Sequence, residues 1–185
     1  MRTLGFGLLV VAVCSTGWLY GAGTPPTNDG EIRRALSAAP AQVAAEATVV
    51  AMDATGNTKE LRHGTNGWTC LPRDLGTPQE QPLCLDKNGL AWYQAAMAGK
   101  APDPNLVGYS YMLQGGSVWS NLDPAATRLA PGQRDFIHVP PHIMILNARA
   151  AQTSGFPSGV AAPDTHKPFV MFGGTPFAVL IIPVQ

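Results

Sequence analysis

Histidine and methionine are the residues of this chain whose chemistry and spacing first indicate a site. Two of the four histidines, His138 and His142, would project from one face if the backbone between them stayed extended. Met144 follows on the face of His142. Imidazole and thioether groups form a ligand set suited to copper, particularly Cu(I). The alternative is a histidine held in the core by a hydrogen bond, with methionines filling gaps in the packing.

A serine nucleophile is a second chemical possibility. Ser117 ends the segment Gly115-Gly116-Ser117 and could meet His142 and Asp123 in a Ser–His–Asp arrangement. The Gly-x-Ser-x-Gly pattern of a nucleophile elbow does not occur in the sequence. We therefore expect a non-enzymatic protein. The alternative is an envelope hydrolase or metal enzyme that uses His142 with Asp123 or His138.

The segment 114–124 is the best candidate for a binding surface. It brings together polar and aromatic side chains, namely Gln114, Ser117, Trp119, Asn121 and Asp123. An indole flanked by amide and carboxylate groups suits a sugar or another small polar ligand, and loops commonly carry function. The alternative is a structural loop in which Trp119 covers the edge of the core and Asn121 or Asp123 turns the chain. We expect the partner to be an unknown small ligand or an envelope protein.

These side chains need secondary structure to position them. Val107–Gln114 alternates between apolar and small or polar residues, which predicts a strand leading into the candidate loop. His142–Asn147 and Phe177–Ile182 are apolar on both faces, a pattern typical of central strands covered on both sides. Asp86 is placed to cap a helix that runs to about Ala98, with Gly99 at the position after its end.

Further strands complete the predicted sheet. Glu46–Met52 and Lys59–His63 flank a turn and predict a hairpin, Gly67–Leu71 predicts a third strand, and Phe169–Phe172 an edge strand. No regular alternation of strands and helices is present. We expect one α+β domain with a mainly antiparallel sheet of about seven strands, roughly two or three helices, and long Gly/Pro-rich loops.

Composition excludes several classes of protein. The formal net charge is zero and only 13% of the residues are charged, with no basic stripe. Nucleic-acid binding needs clustered cations, so we expect no nucleic-acid partner. Hydrophobic residues make up 45% of the chain, which is too many for a disordered protein. The 20 glycines and 17 prolines indicate a folded domain rich in loops.

The first residues have the pattern of a secretory signal peptide. One early positive charge, Arg2, precedes the apolar run Leu4–Val13, and small residues follow at 21–23. We predict a signal peptide over 1–23, a tether and helix over 24–46, and one α+β domain over 47–185. The alternatives are an uncleaved anchor or a lipoprotein cut before Cys14. We expect a periplasmic or secreted protein without a membrane span after cleavage.

Removal of the leader would leave two cysteines, Cys70 and Cys84. An even number of cysteines in an exported chain indicates a disulfide, here closing a loop of about 15 residues. The enclosed segment is rich in proline and glycine, which suits a loop held by a covalent link. The alternative is a redox pair or two metal ligands, but the spacing matches neither kind of site.

Several segments together resemble a group of small exported bacterial proteins of unknown function. These segments are HGTNGWTCLP (63–72), YMLQGGS (111–117), SNLDP (120–124), PPHIMI (140–145) and GGTPFAVLIIP (173–183). The resemblance covers most of the chain after the leader. It implies a bacterial source and a location in the cell envelope. It implies no cofactor, activity or functional residue.

Overall fold

The computed structural model describes residues 28–74 and 76–184, which form ten strands and four short helices. The helices are α1 (Asp29–Leu36), α2 (Ala41–Ala44), α3 (Lys87–Met97) and α4 (Ala150–Thr153). The strands are β1 (Thr48–Met52), β2 (Thr58–Arg62), β3 (Thr69–Leu71), β4 (Leu83–Leu85), β5 (Gly108–Met112), β6 (Gly116–Val118), β7 (Ile137–Val139), β8 (His142–Leu146), β9 (Phe169–Met171) and β10 (Val179–Pro183). The signal peptide predicted over 1–23 lies outside the described residues.

Eight of these strands form one sheet in the order β2-β1-β3-β4-β5-β8-β10-β9. All neighbours in it are antiparallel except β1 and β3, and β6 pairs with β7 in a separate two-stranded sheet. The predicted α+β class and mainly antiparallel sheet are confirmed. The predicted counts of strands and helices are too low. The strands that the sequence did not predict are β4, β6 and β7, which have three residues each and are too short to show a period.

The sheet has one fully buried face and one that is less well covered. In β8, His142, Met144 and Leu146 are buried, whereas Ile143 and Ile145 on the other face are only half-buried. The strand lies between β5 and β10, as a central strand should. The predicted cover on both sides holds for β10, whose first three residues are all buried, and is less complete for β8. One face meets α3 and the loops. On the other face, α1 packs over β1, β3 and β4, and Val170 and Leu180 are buried near the opposite edge.

The helix α1 packs over the disulfide end of the sheet. Ala35 and Ala38 form a small buried cluster with Val49 and the two cysteines. Cys70 in β3 and Cys84 in β4 lie directly opposite each other and are bonded, which confirms the predicted disulfide. No helix in the described part of the chain is long and apolar enough to cross a bilayer.

The helix α3 begins and ends as its local sequence predicts. The Asp86 carboxylate accepts hydrogen bonds from the backbone N–H groups of Gly89, at 2.7 Å, and Tyr109, at 3.0 Å. It therefore caps the helix and ties it to β5. At the other end, Gly99 takes a left-handed φ of 66° and Lys100 N–H donates to the Ala95 carbonyl at 2.8 Å. This arrangement is a Schellman motif.

Candidate functional site

A cavity of about 390 Å³ lies between the buried face of the sheet, α3 and the loop after β6. Leu83 and Leu85 from β4, Met112 from β5, Met144 from β8, and Val179 and Ile181 from β10 form its floor. These residues alternate along their strands, so that each strand turns its apolar side toward the cavity. The floor is therefore hydrophobic across the middle of the sheet.

The helix α3 forms one side of the cavity. Trp92, Ala96 and Met97 from the helix line it, and the Trp92 ring meets Phe177 edge-on with 6.1 Å between ring centroids. The Trp92 Nε1 is buried and has no hydrogen-bond partner among the described residues. A buried indole N–H usually finds an acceptor. Its missing partner makes this donor available to another molecule.

Two of the five predicted loop residues, Trp119 and Asp123, line the cavity. The Trp119 ring packs against Phe136 with 4.6 Å between ring centroids. The backbone carbonyl of Trp119 accepts a hydrogen bond from Gln133 Nε2 at 2.9 Å. The Asp123 carboxylate accepts from the backbone N–H of Ala125 at 2.9 Å and is exposed. The loop thus supplies one aromatic wall and one carboxylate.

Two other predicted loop residues have structural partners and do not line the cavity. Gln114 Nε2 donates to the Ser37 carbonyl at 3.0 Å, which ties the end of β5 to the segment after α1. Asn121 is buried, and its Nδ2 donates to the Val160 carbonyl at 2.7 Å. These two side chains hold loops in place. Of the five predicted loop residues, Trp119 and Asp123 are therefore the two that line the cavity.

Ser117, the fifth predicted loop residue, contacts a different histidine from the one expected. Its Oγ lies 2.8 Å from His138 Nδ1, and His138 Nε2 lies 3.3 Å from Asp135 Oδ1. The order of groups is that of a Ser–His–Asp chain. Ser117 is completely buried, however, and no described cavity reaches it. The contacts of Ser117 and His138 link β6 to β7.

The predicted metal ligands are divided between two places. His142 and Met144 both line the cavity, as expected from their positions two residues apart on β8. His138 is half-exposed on β7 and is engaged by Ser117 and Asp135. The described residues contain no group of three or more His, Cys, Asp or Glu side chains that could hold a metal ion. Of the three predicted ligands, His142 and Met144 therefore share the cavity and His138 does not.

His142 presents a hydrogen-bond acceptor to the cavity. Only 3% of the surface of His142 is exposed, and its Nδ1 lies 2.7 Å from the Pro140 carbonyl. Because a carbonyl only accepts, Nδ1 carries the proton and the neutral ring has its lone pair on Nε2. Burial lowers the pKa of His142 to about 4, and the nearby Arg73 charge contributes in the same direction. The ring is therefore neutral at ordinary pH.

Arg73 is the cation of the cavity wall among the described residues, and no pattern in the sequence singles it out. It follows β3 in an irregular segment, and its guanidinium lies 5.4 Å from the centroid of the Tyr93 ring. Its Nε is buried without a hydrogen-bond partner, and no carboxylate of the described residues lies within 4.0 Å of the group. The guanidinium is held by cation–π attraction and lacks a counterion in the wall.

The chain matches no protein-family model, no curated protein and no solved structure. The similarity to small exported bacterial proteins therefore stays a prediction. Evidence for function comes from the cavity, whose apolar walls carry a few polar atoms without protein partners.

Proposed function

We propose that this protein is an exported, non-enzymatic binding protein that holds one small, largely apolar molecule in the cavity between α3 and the sheet. The cavity itself carries the proposal. Its volume of about 390 Å³ falls within the range of small-molecule sites, which are mostly apolar with a few placed polar groups. Leu83, Met112, Met144 and Ile181 supply apolar surface, and Arg73, Trp92 and His142 supply the polar groups.

The volume limits the size of the molecule. A water molecule occupies about 30 Å³ in the liquid, so the cavity corresponds to roughly 13 waters. Burial of the ligand's apolar surface would contribute about 25 cal/mol for each Å² removed from water. A chain or ring of that size, with one polar end, matches the walls.

The chemistry of His142 favours binding over catalysis. A general base is most effective when its pKa lies near the working pH. Burial holds the pKa of His142 at about 4, which makes its neutral form stable and weakly basic. The Nε2 atom is then suited to accept a hydrogen bond from a ligand.

Titration with 1-octanol tests the proposed binding, followed by tryptophan fluorescence and by calorimetry. We expect saturable binding to one site. Ala96→Leu, which places a larger side chain in the wall of the cavity, should weaken binding by about tenfold, which corresponds to about 1.4 kcal/mol. Ala91→Leu is the matched control, because Ala91 is exposed on the same helix. Equal affinity of Ala96→Leu and the unchanged protein would contradict the proposed site.

Export is a separate part of the proposal, supported by the leader pattern and by the disulfide, which forms in oxidising compartments. The intact mass of protein recovered from a host envelope tests it. Cleavage near Gly23 and the loss of two hydrogens at the cysteines are expected. A full-length, reduced protein would contradict export, and added lipid mass on Cys14 would favour the lipoprotein alternative.

A second candidate function is an envelope hydrolase or copper-binding protein that uses His142. It is favoured by the free Nε2 lone pair of His142 and by Met144 in the same wall. Incubation with Cu(I) under reducing conditions, followed by native mass spectrometry, tests the metal. Binding that is lost in Met144→Leu would favour copper, and no bound metal would remove it. Turnover of an ester that is lost in a folded His142→Ala protein would favour the hydrolase.

A further inference from the structure

We infer that the molecule held in this cavity is a small monocarboxylate with an apolar body, and that its carboxylate pairs with Arg73. This inference rests on the proposed binding function and specifies the chemical class of the ligand. The cavity floor would take the apolar chain or ring of the acid. The guanidinium in the wall would take its charged end.

The backbone fixes Arg73 at the cavity wall. The residue comes two positions after the end of β3, and its carbonyl accepts from the backbone N–H of Gln81 at 3.0 Å. Gln81 is buried and donates in turn to the carbonyl of Ser117 in β6. The guanidinium then lies over Tyr93 of α3. The main chain at Arg73 is held between the sheet and the loops, so its side chain is a preorganised part of the wall.

The Arg73 guanidinium has no carboxylate partner within 4.0 Å among the described residues. Arg73 is only partly exposed, and the face of Tyr93 covers one side of its guanidinium. The Nε of Arg73 is buried and unpaired in the described structure. An arginine fork matches a carboxylate through two parallel hydrogen bonds. A carboxylate ligand would satisfy both the charge and the donors.

The acidic residues nearby are occupied in their own turns. Asp53 accepts from Thr55 and Asn57, and these hydrogen bonds hold its pKa at about 2. Asp74 accepts from the Gly76 N–H at 2.8 Å. Together with Glu31, these two residues line a second, smaller recess that Arg73 also lines. None of the three carboxylates lies within 4.0 Å of the guanidinium.

The charge of the wall favours an acid with a single negative charge. Of the described residues that line the cavity, Arg73 alone is an arginine or lysine, and Asp123 is the one acidic residue. His142 is neutral, so it adds no second positive charge. A dianion such as a phosphate monoester would be left with an uncompensated charge beside an apolar floor. A monocarboxylate matches the single positive charge of Arg73, while the Asp123 carboxylate is exposed to solvent.

Octanoate and 1-octanol test this inference, since they share an apolar chain and differ in the charged end. We expect the unchanged protein to bind octanoate about tenfold or more tightly than 1-octanol. Arg73→Met should weaken octanoate by about tenfold and leave 1-octanol within about threefold. Arg33→Met is the control, because Arg33 is exposed on α1, away from the cavity. It should change neither affinity.

The outcomes separate this inference from the proposed function. Equal binding of octanoate and 1-octanol, or an undiminished affinity of folded Arg73→Met for octanoate, would overturn the monocarboxylate while leaving the cavity as a binding site. Binding of neither compound would overturn both. If Arg73→Met does not fold, Arg73→Lys keeps the charge and removes the fork. A loss of octanoate affinity of about threefold or more would then support the inference, and no loss would overturn it.

Discussion

The neutral state of His142 is the clearest chemical property of the cavity wall. The ring gains a hydrogen bond to the Pro140 carbonyl but loses almost all contact with water. The loss of solvation dominates, which is why its pKa falls to about 4 from the usual value of 6.5. In the unfolded chain the same ring is solvated and keeps its ordinary pKa.

The difference in pKa predicts acid destabilisation. Between pH 6.5 and 4 the unfolded state binds a proton at His142 that the folded state does not bind. The stabilising contribution is therefore complete above pH 6.5 and is lost as the pH falls toward 4. The loss is on the order of 3 kcal/mol. Urea unfolding at pH 7 and at pH 4.5 measures it.

His142→Gln is the variant to compare, because it removes the titrating group. Its stability should fall less between the two pH values than that of the unchanged protein. An NMR titration gives a direct check, since the His142 ring should titrate below pH 5. Titration of this ring near pH 6.5 would contradict its burial.

Asn121 illustrates a polar side chain that stabilises the fold rather than the site. Asn121→Ala removes the donor of the buried hydrogen bond to the Val160 carbonyl, and we expect a loss of about 1–2 kcal/mol in the free energy of unfolding. Asn105→Ala is the control, because Asn105 is exposed in its turn and its loss should cost less than about 0.5 kcal/mol. Similar costs in the two variants would argue against a structural role for Asn121.

The sequence predicted part of the cavity wall and missed the rest for a physical reason. His142 and Met144 fall on one face of a strand by simple alternation, and Trp119 is an aromatic residue in a long loop. Arg73 gave no signal, because it lies between Pro72 and Asp74 in a segment typical of a loop. Its place in the cavity wall depends on the packing of α3 near the end of β3, and these two elements are distant in the sequence.

At the level of elements, local signals explain which predictions succeeded. The start of α3 depends on Asp86 and its end on Gly99, and each of these acts within a few residues. The pairing of β6 with β7 instead joins Ser117 to His138 across a long loop. The sequence between them contains turn signals such as Pro131-Gly132, but none of them specifies which two strands pair across so long a loop.

The contact of α3 with β5 depends on the absence of a side chain at Gly108. A methyl group there would lie 2.5 Å from the Gly89 Cα in the first turn of the helix. Backbone cannot move aside as a flexible side chain can. Gly108→Ala should therefore cost about 3 kcal/mol in the free energy of unfolding, or prevent folding.

Gly30→Ala is the matched control for this prediction. No atom lies within 4 Å of a methyl group added at Gly30 in α1, and alanine favours a helix. That variant should be stabilised by about 0.5 kcal/mol. Thermal unfolding of both variants measures the contrast, and a neutral Gly108→Ala would show that α3 can shift away from β5.

At the scale of the molecule, the disulfide joins two strands in the half of the sheet covered by α1. Bonding Cys70 to Cys84 closes a loop of about 15 residues in the unfolded chain and should contribute about 3 kcal/mol of stability. Urea unfolding with and without a reducing agent measures this contribution. The double variant Cys70→Ala/Cys84→Ala should be destabilised to a similar degree and insensitive to the reductant. Unchanged stability on reduction would contradict the prediction.

The two edges of the large sheet are protected in different ways. At one edge, β2 exposes Thr58, Lys59 and Glu60, so an approaching strand would meet charged side chains. At the other edge, β9 is short, and the outward N–H of Val170 already donates to the Pro157 carbonyl at 2.8 Å. Both edges therefore hinder the addition of a strand from a second copy of the chain, β2 by its charged side chains and β9 by its short length and the bond to Pro157. Edge-to-edge polymerisation is therefore disfavoured, and a concentrated solution should not form fibrils by strand addition.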